Sequence, residues 1–230
     1  MTNLEGYNKG DIYEDKIHKI LIKKNFLTKD SLRAGASDRA DIEVKYNKNK
    51  VRIEVKADQN ADYGQKSIKW SSQNGWRWAK SDKVTKFYEE IGIIENYINK
   101  NFIPRKFTKE KLKITQADKT FDQQSFEKPK IEIPLKTLFD YYKLKNVFYI
   151  QLENCGFYHL SEDKLNLKTR MFDGKMVLRL RAKTIHSKDK NSNLTPWNYN
   201  FYGVLKMLKR PSPSNFDLEE RDNKEFPFKK

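Results

Sequence analysis

The chain has 230 residues, enough for one domain with a buried core, and its 37% hydrophobic and 13% aromatic content excludes disorder throughout. A net charge of +16 and a pI near 9.6 imply a polyanionic partner, nucleic acid or an acidic membrane surface. No apolar stretch approaches the roughly 20 residues of a membrane span, and residues 1–11 are too polar for a signal peptide, so a cytoplasmic protein without membrane contact is expected.

Cys155 is the one cysteine, which excludes an intrachain disulfide, and His18, His159 and His186 are too scattered to suggest a structural zinc. From Gly10 to Phe26 the apolar residues Tyr13, Ile17, Ile20 and Leu21 recur at helical spacing among Glu14, Lys16, Lys19 and Lys23, which predicts an amphipathic first helix. Ala40 to Tyr46 and Val51 to Ala57 alternate with period two. The first run sets Ala40, Ile42, Val44 and Tyr46 against Asp41, Glu43 and Lys45; the second sets Val51, Ile53 and Val55 against Arg52, Glu54 and Lys56. Asn47-Lys48-Asn49-Lys50 between them is short and polar, which predicts an antiparallel hairpin.

Residues 64–80 hold Trp70, Trp76 and Trp78 among polar and basic side chains and read as partly loop. Ser81 or Asp82 caps a predicted helix to about Lys100, with Val84, Phe87, Tyr88, Ile91, Ile94 and Ile98 as its apolar stripe. Residues 102–130 read as an irregular insertion with a short helix, and Pro134 opens a second amphipathic stretch through Leu135, Leu138, Phe139 and Tyr142. Val147 to Leu152, Phe157 to Leu160 and Met176 to Lys183 are strands that extend the hairpin's sheet, the last with Met176, Leu178 and Leu180 inward. One domain over 1–210 is expected, with insertions, and a polar, flexible tail over 211–230 in which little is buried.

A four-residue turn sets Tyr46 opposite Val51, hence Glu43 opposite Glu54 and Asp41 opposite Lys56, all on one face. Like charges so close repel, and the usual compensator is a hard divalent cation bound by oxygen. Magnesium held by Asp41, Glu54 and the Val55 main-chain carbonyl would keep positions open for water and a phosphate oxygen. Lys56 would orient that water or neutralise developing charge. Glu43 shares the face and is an alternative ligand.

Asp41, twelve intervening residues and then Glu54-Val55-Lys56 in a hydrophobic strand resemble the PD-(D/E)XK nuclease superfamily, and Ala40 replaces the family's proline. The resemblance implies an α/β (α+β) restriction-endonuclease-like core, a central mixed sheet flanked by helices, with a glutamate from the preceding helix at the site. Glu14 is the residue that fits that place. A short, basic, stand-alone chain of this kind is most similar to a type II restriction endonuclease.

The same resemblance implies Mg2+, one or two ions per active site, with Mn2+ able to substitute. It also implies double-stranded DNA as substrate, a homodimer matching a short palindrome, a prokaryotic cytoplasm and a cognate DNA methyltransferase as functional companion. Gln65 and Lys66 stand where related nucleases place a polar residue beside the phosphate. Arg77, set among the tryptophans, suits stacking or phosphate contact. Arg170, Arg179, Arg181, Lys183, His186 and Asn198 suit phosphate or base-edge contacts, although a solvated strand face is the favoured reading for each of them taken singly.

Glu-x-Lys is cheap in a lysine-rich chain, recurring at Glu14-Asp15-Lys16, Glu43-Val44-Lys45 and Glu162-Asp163-Lys164. Only Glu54-Val55-Lys56 has apolar strand neighbours and an aspartate across the hairpin. The rivals are a junction-resolving, homing or repair nuclease of the same superfamily, and a non-catalytic basic DNA-binding protein.

Overall fold

The structure, a computed structural model, describes residues 9–28, 41–185 and 195–229. It divides into two compact units, the first from Met1–Ala61, Pro134–Met176 and Met207–Lys230, the second from Asp62–Ile133 and Val177–Lys206. Among the described residues no helix is long and apolar enough to cross a membrane.

Helix α1 (Lys9–Lys23) buries Tyr13, Ile17 and Leu21, the stripe the periodicity predicts. Strands β1 (Ile42–Tyr46) and β2 (Asn49–Lys56) form the antiparallel hairpin. The turn is shorter than expected. Asn47 and Lys48 alone form it, at φ 46° and 65°, and two consecutive positive φ values make a two-residue type I′ turn whose twist suits a hairpin. Tyr46 therefore pairs with Asn49 rather than Val51, and Glu43 with Arg52 rather than Glu54. Because the slip is two residues, each side chain keeps its face. The same register, continued by one residue, brings Asp41 level with Glu54 rather than Lys56.

In the second unit β3 (Tyr63–Ser71) and β4 (Gly75–Trp78) form another hairpin where the sequence reads as partly loop. Its tryptophans are packing residues: Trp78 is buried, and Trp76 lies 5.0–5.8 Å from the rings of Phe102, Phe126 and Phe201. Asp82 caps α2 (Lys83–Glu90) through a capping box with Thr85. The long helix expected to Lys100 stops at Gly92, whose φ of 69° breaks it before α3 (Ile93–Tyr97). The expected irregular insertion holds α4 (Arg105–Thr108), α5 (Gln116–Phe126) and strand β5 (Lys128–Ile133).

The first unit resumes with α6 (Leu135–Leu144), β6 (Tyr149–Leu152) and β7 (Gly156–His159), and the remaining strands are β8 (Lys175–Thr184) and β9 (Tyr199–Lys209). One sheet runs β1-β2-β6-β7, with β2 and β6 parallel and the other pairs antiparallel, so the expected mixed sheet is present. The fold is mixed α+β. The Met176 to Lys183 strand corrects the expectation: as β8 it belongs to a second sheet, β4-β3-β9-β8-β5, rather than to the hairpin's.

Tyr13, Ile17 and Leu21 pack on Ile42, Val44, Val51, Ile53 and Val55, together with Tyr149 and Phe157. Leu218 and Phe228 join this core, so the segment after Arg210 is not the unburied tail expected from its polarity. Its polar residues are themselves partnered. Gln151 Nε2 donates to Asp217 Oδ1 at 2.9 Å and to the Tyr13 hydroxyl at 3.1 Å, and the Tyr13 hydroxyl donates to Glu219 Oε2 at 2.9 Å.

Candidate active site

Glu54 and Lys56 lie two residues apart on β2 and so share a face, while Asp41 immediately precedes β1. Asp41 is held there by the strand beside it, because the Val55 N–H donates to Asp41 Oδ2 at 2.7 Å. Glu54 breaks the burial alternation of β2, lying between buried Ile53 and Val55 and itself only 4% exposed. A carboxylate so deeply placed needs cations. Lys56 Nζ stands 2.6 Å from Glu54 Oε1 and 3.9 Å from Asp41 Oδ2, and Lys145 Nζ stands 3.6 Å from Glu54 Oε2.

The electrostatics divide these carboxylates. Burial acts to raise the Glu54 carboxyl, but the Lys56 and Lys145 ammoniums outweigh it and hold the group below its ordinary range. Burial, and then the Glu54 charge, push Asp41 up to about 6. Glu14 on α1 is pushed up to about 7, first by burial and then by the charge of Asp41, with Lys56 and Glu54 also acting on it. The structure thus brings Glu14, Asp41, Glu54 and Lys56 into one electrostatic cluster. Glu43 is outside it, held by Arg52 at 3.0 Å and Lys50 at 3.2 Å.

Among the described residues no three acidic, histidine or cysteine side chains already enclose a metal position. The donor chemistry nonetheless fits a hard divalent cation. Asp41 and Glu54 are oxygen donors, Glu54 Oε2 makes no hydrogen bond of ordinary geometry, and burial together with the neighbouring negative charges pushes Asp41 and Glu14 above the usual carboxylate range.

Apart from Arg170, the residues expected to touch DNA lie in the second unit, several of them already engaged. Arg181 donates to Asp62 and, at 2.5 Å, to Gln65 Oε1, and Lys206 Nζ lies 2.5 Å from Asp62 Oδ1. Lys66 Nζ donates to Asp82 Oδ2 at 2.6 Å, bracing the start of α2. Arg77 on β4 and Lys183 on β8 are exposed, Arg179 is half-buried, and the half-buried Asn198 accepts the Ile185 N–H at 2.8 Å through its carbonyl. Outside that unit, Arg170 pairs with Asp173 at 3.1 Å. His186 and Ala40 lie outside the described residues.

Lys145 is the site residue that motif reasoning misses. It follows α6 in a part of the chain with no hairpin spacing to reveal it, and reaches Glu54 because β6 pairs in parallel with β2.

No sequence-family model matches the chain, and no curated protein matches its sequence. Among solved structures the chain is similar to HhaI endonuclease in complex with DNA, at 14% identity, covering 92% of this chain and 96% of that chain, with a TM-score of 0.41.

Proposed function

We propose that this protein is a magnesium-dependent endonuclease that hydrolyses phosphodiester bonds of double-stranded DNA, of the type II restriction kind. The observation that carries this reading is the convergence of Asp41, Glu54 and Lys56 at the hairpin, with Glu14 close enough to feel all three charges. The net charge of +16 supports a polyanionic substrate.

Bound Mg2+, or Mn2+ in its place, supplies a Lewis acid that polarises a phosphoryl oxygen and acidifies a water. Asp41, Glu54 and the Val55 carbonyl are the groups that would hold it. Lys56, whose ammonium already stands between the two carboxylates, orients the attacking water and offsets charge developing on the phosphate. Glu14 is the outer carboxylate of the set. A homodimer acting on a short palindrome, with a DNA methyltransferase as its companion, completes the reading.

The test is incubation of purified protein with plasmid DNA in Mg2+ or chelator, beside Asp41→Ala and Lys56→Ala. Discrete fragments from wild type in Mg2+ alone are expected. A smear, or preference for branched DNA, would transfer the site to a repair or junction-resolving nuclease. Intact DNA bound equally by wild type and both variants would leave a basic DNA-binding protein.

A further inference from the structure

Lys145 lies outside the pattern of Asp41, Glu54 and Lys56, yet it faces the same carboxylate. It is 8% exposed, its Nζ lies 3.6 Å from Glu54 Oε2, and it sits 5.5 and 5.7 Å from the ring centroids of Tyr141 and Tyr142. Its backbone is fixed at both ends: its N–H donates to the Tyr142 carbonyl at 3.0 Å, and its carbonyl accepts from Arg52 Nη1 at 3.2 Å. Burying a lysine forfeits hydration and rotamer freedom, so the arrangement persists only where a specific anion needs it.

The two lysines divide the Glu54 carboxylate between them. Lys56 takes Oε1 in close contact, and Lys145 faces Oε2, the oxygen that makes no hydrogen bond of ordinary geometry. Lys56 arises from the same strand as Glu54 and also reaches toward Asp41, so it can change partners within the site. Lys145, fixed by its backbone at the end of α6, forms its ion pair with Glu54 and acts on the Asp41 charge only from farther away.

Resting on the nuclease reading above, we propose that Lys145 is a positioning residue. It is a fixed counter-ion that keeps the Glu54 carboxylate in place when Lys56 leaves Oε1 for the scissile phosphate. The labour is thereby divided: one lysine serves the reaction, the other serves the ligand. Residues that orient a metal-binding carboxylate from behind are typically worth 10- to 100-fold in metal affinity or rate.

The experiment compares the full chain carrying Lys145→Met or Lys145→Arg with wild type. It measures kcat and KM on plasmid DNA in Mg2+, Mn2+ affinity by calorimetry without DNA, and thermal melting. Lys145→Met is expected to lose about 10- to 100-fold in kcat and in Mn2+ affinity while KM for DNA stays within about 3-fold, and Lys145→Arg to recover most of both. If the methionine variant fails to melt cooperatively, Lys145→Gln replaces it. Unchanged kcat and Mn2+ affinity, tighter Mn2+ binding, or an arginine variant as impaired as the methionine one would overturn the inference. Wild type that cuts no DNA would overturn the nuclease reading instead, and the Mn2+ titration would then decide alone whether Lys145 positions Glu54.

Discussion

Asp41 and Glu14 at the candidate site are treated differently from the partnered carboxylates of the second unit. In the second, Asp122 accepts the backbone N–H groups of Arg105 and Lys106 at 2.8 and 2.9 Å and the Tyr199 hydroxyl at 2.6 Å. Asp118 is held well below the usual carboxylate range, first by the Lys109 ammonium and then by Thr115 and Arg105. Asp62 is likewise held low: burial opposes this, but Lys206 and Arg181 outweigh it. At the candidate site Asp41 and Glu14 are pushed up to about 6 and about 7. Saturated carboxylates hold a fold together. Undersaturated ones cost it stability, and such a cost is typical of groups retained for chemistry.

The sharpest way to break this contrast is to neutralise each kind of cluster. Asp41→Asn or Lys56→Met is expected to reduce Mg2+-dependent DNA cleavage by about 1000-fold, measured by gel assay under single-turnover conditions. Asp41→Asn keeps an oxygen to accept the Val55 N–H and should not lower the melting temperature in chelator. Asp122→Ala should do the reverse of these, leaving three donors stranded and costing about 3 kcal/mol, or about 8 °C by calorimetry.

The pH response separates the clusters more gently. A carboxyl whose folded pKa lies above its unfolded value contributes stability at low pH that is lost as pH rises through the shifted range. For Asp41 and Glu14 that range runs from about 4 to about 7. In chelator the protein should therefore melt higher at pH 5.5 than at pH 8, by on the order of 2 kcal/mol or about 5 °C, and Mg2+ at pH 8 should restore the difference. Asp62, Asp118 and Glu54, held low, contribute fully across that window and lose their contribution only at more acid pH. A flat profile from pH 5.5 to 8 would refute the undersaturation of the first cluster.

The smallest effects concern the surface. Arg77→Ala and Lys183→Ala, both exposed, should each reduce the salt slope of DNA binding by about one without changing the melting temperature. Arg181→Ala should lower melting by about 4 °C instead, because it releases Asp62 and Gln65.

The faces of the site hairpin were legible because period-two alternation survives any even slip in register. The register was not. Lys48 takes a positive φ that sequence rules assign to glycine or asparagine, which hid the two-residue turn. The fate of the DNA-binding candidates was equally hidden: whether Arg181 faces solvent or Asp62 depends on pairing between residues 119 positions apart. Burial of the C-terminal segment had a readable sign in the alternation of Phe216 with Leu218 and Phe226 with Phe228, outweighed by the charges around them. No such sign announced Lys145.

The first unit is assembled from three separate stretches, and the last of them supplies Leu218 and Phe228 to the core that supports the hairpin. During synthesis the strand bearing Glu54 and Lys56 emerges early, yet its supporting core cannot close until Leu218 and Phe228 have left the ribosome. On the nuclease reading, activity would wait for the last of the three stretches, because a chain stalled short of Leu218 lacks part of the core behind Glu54 and Lys56.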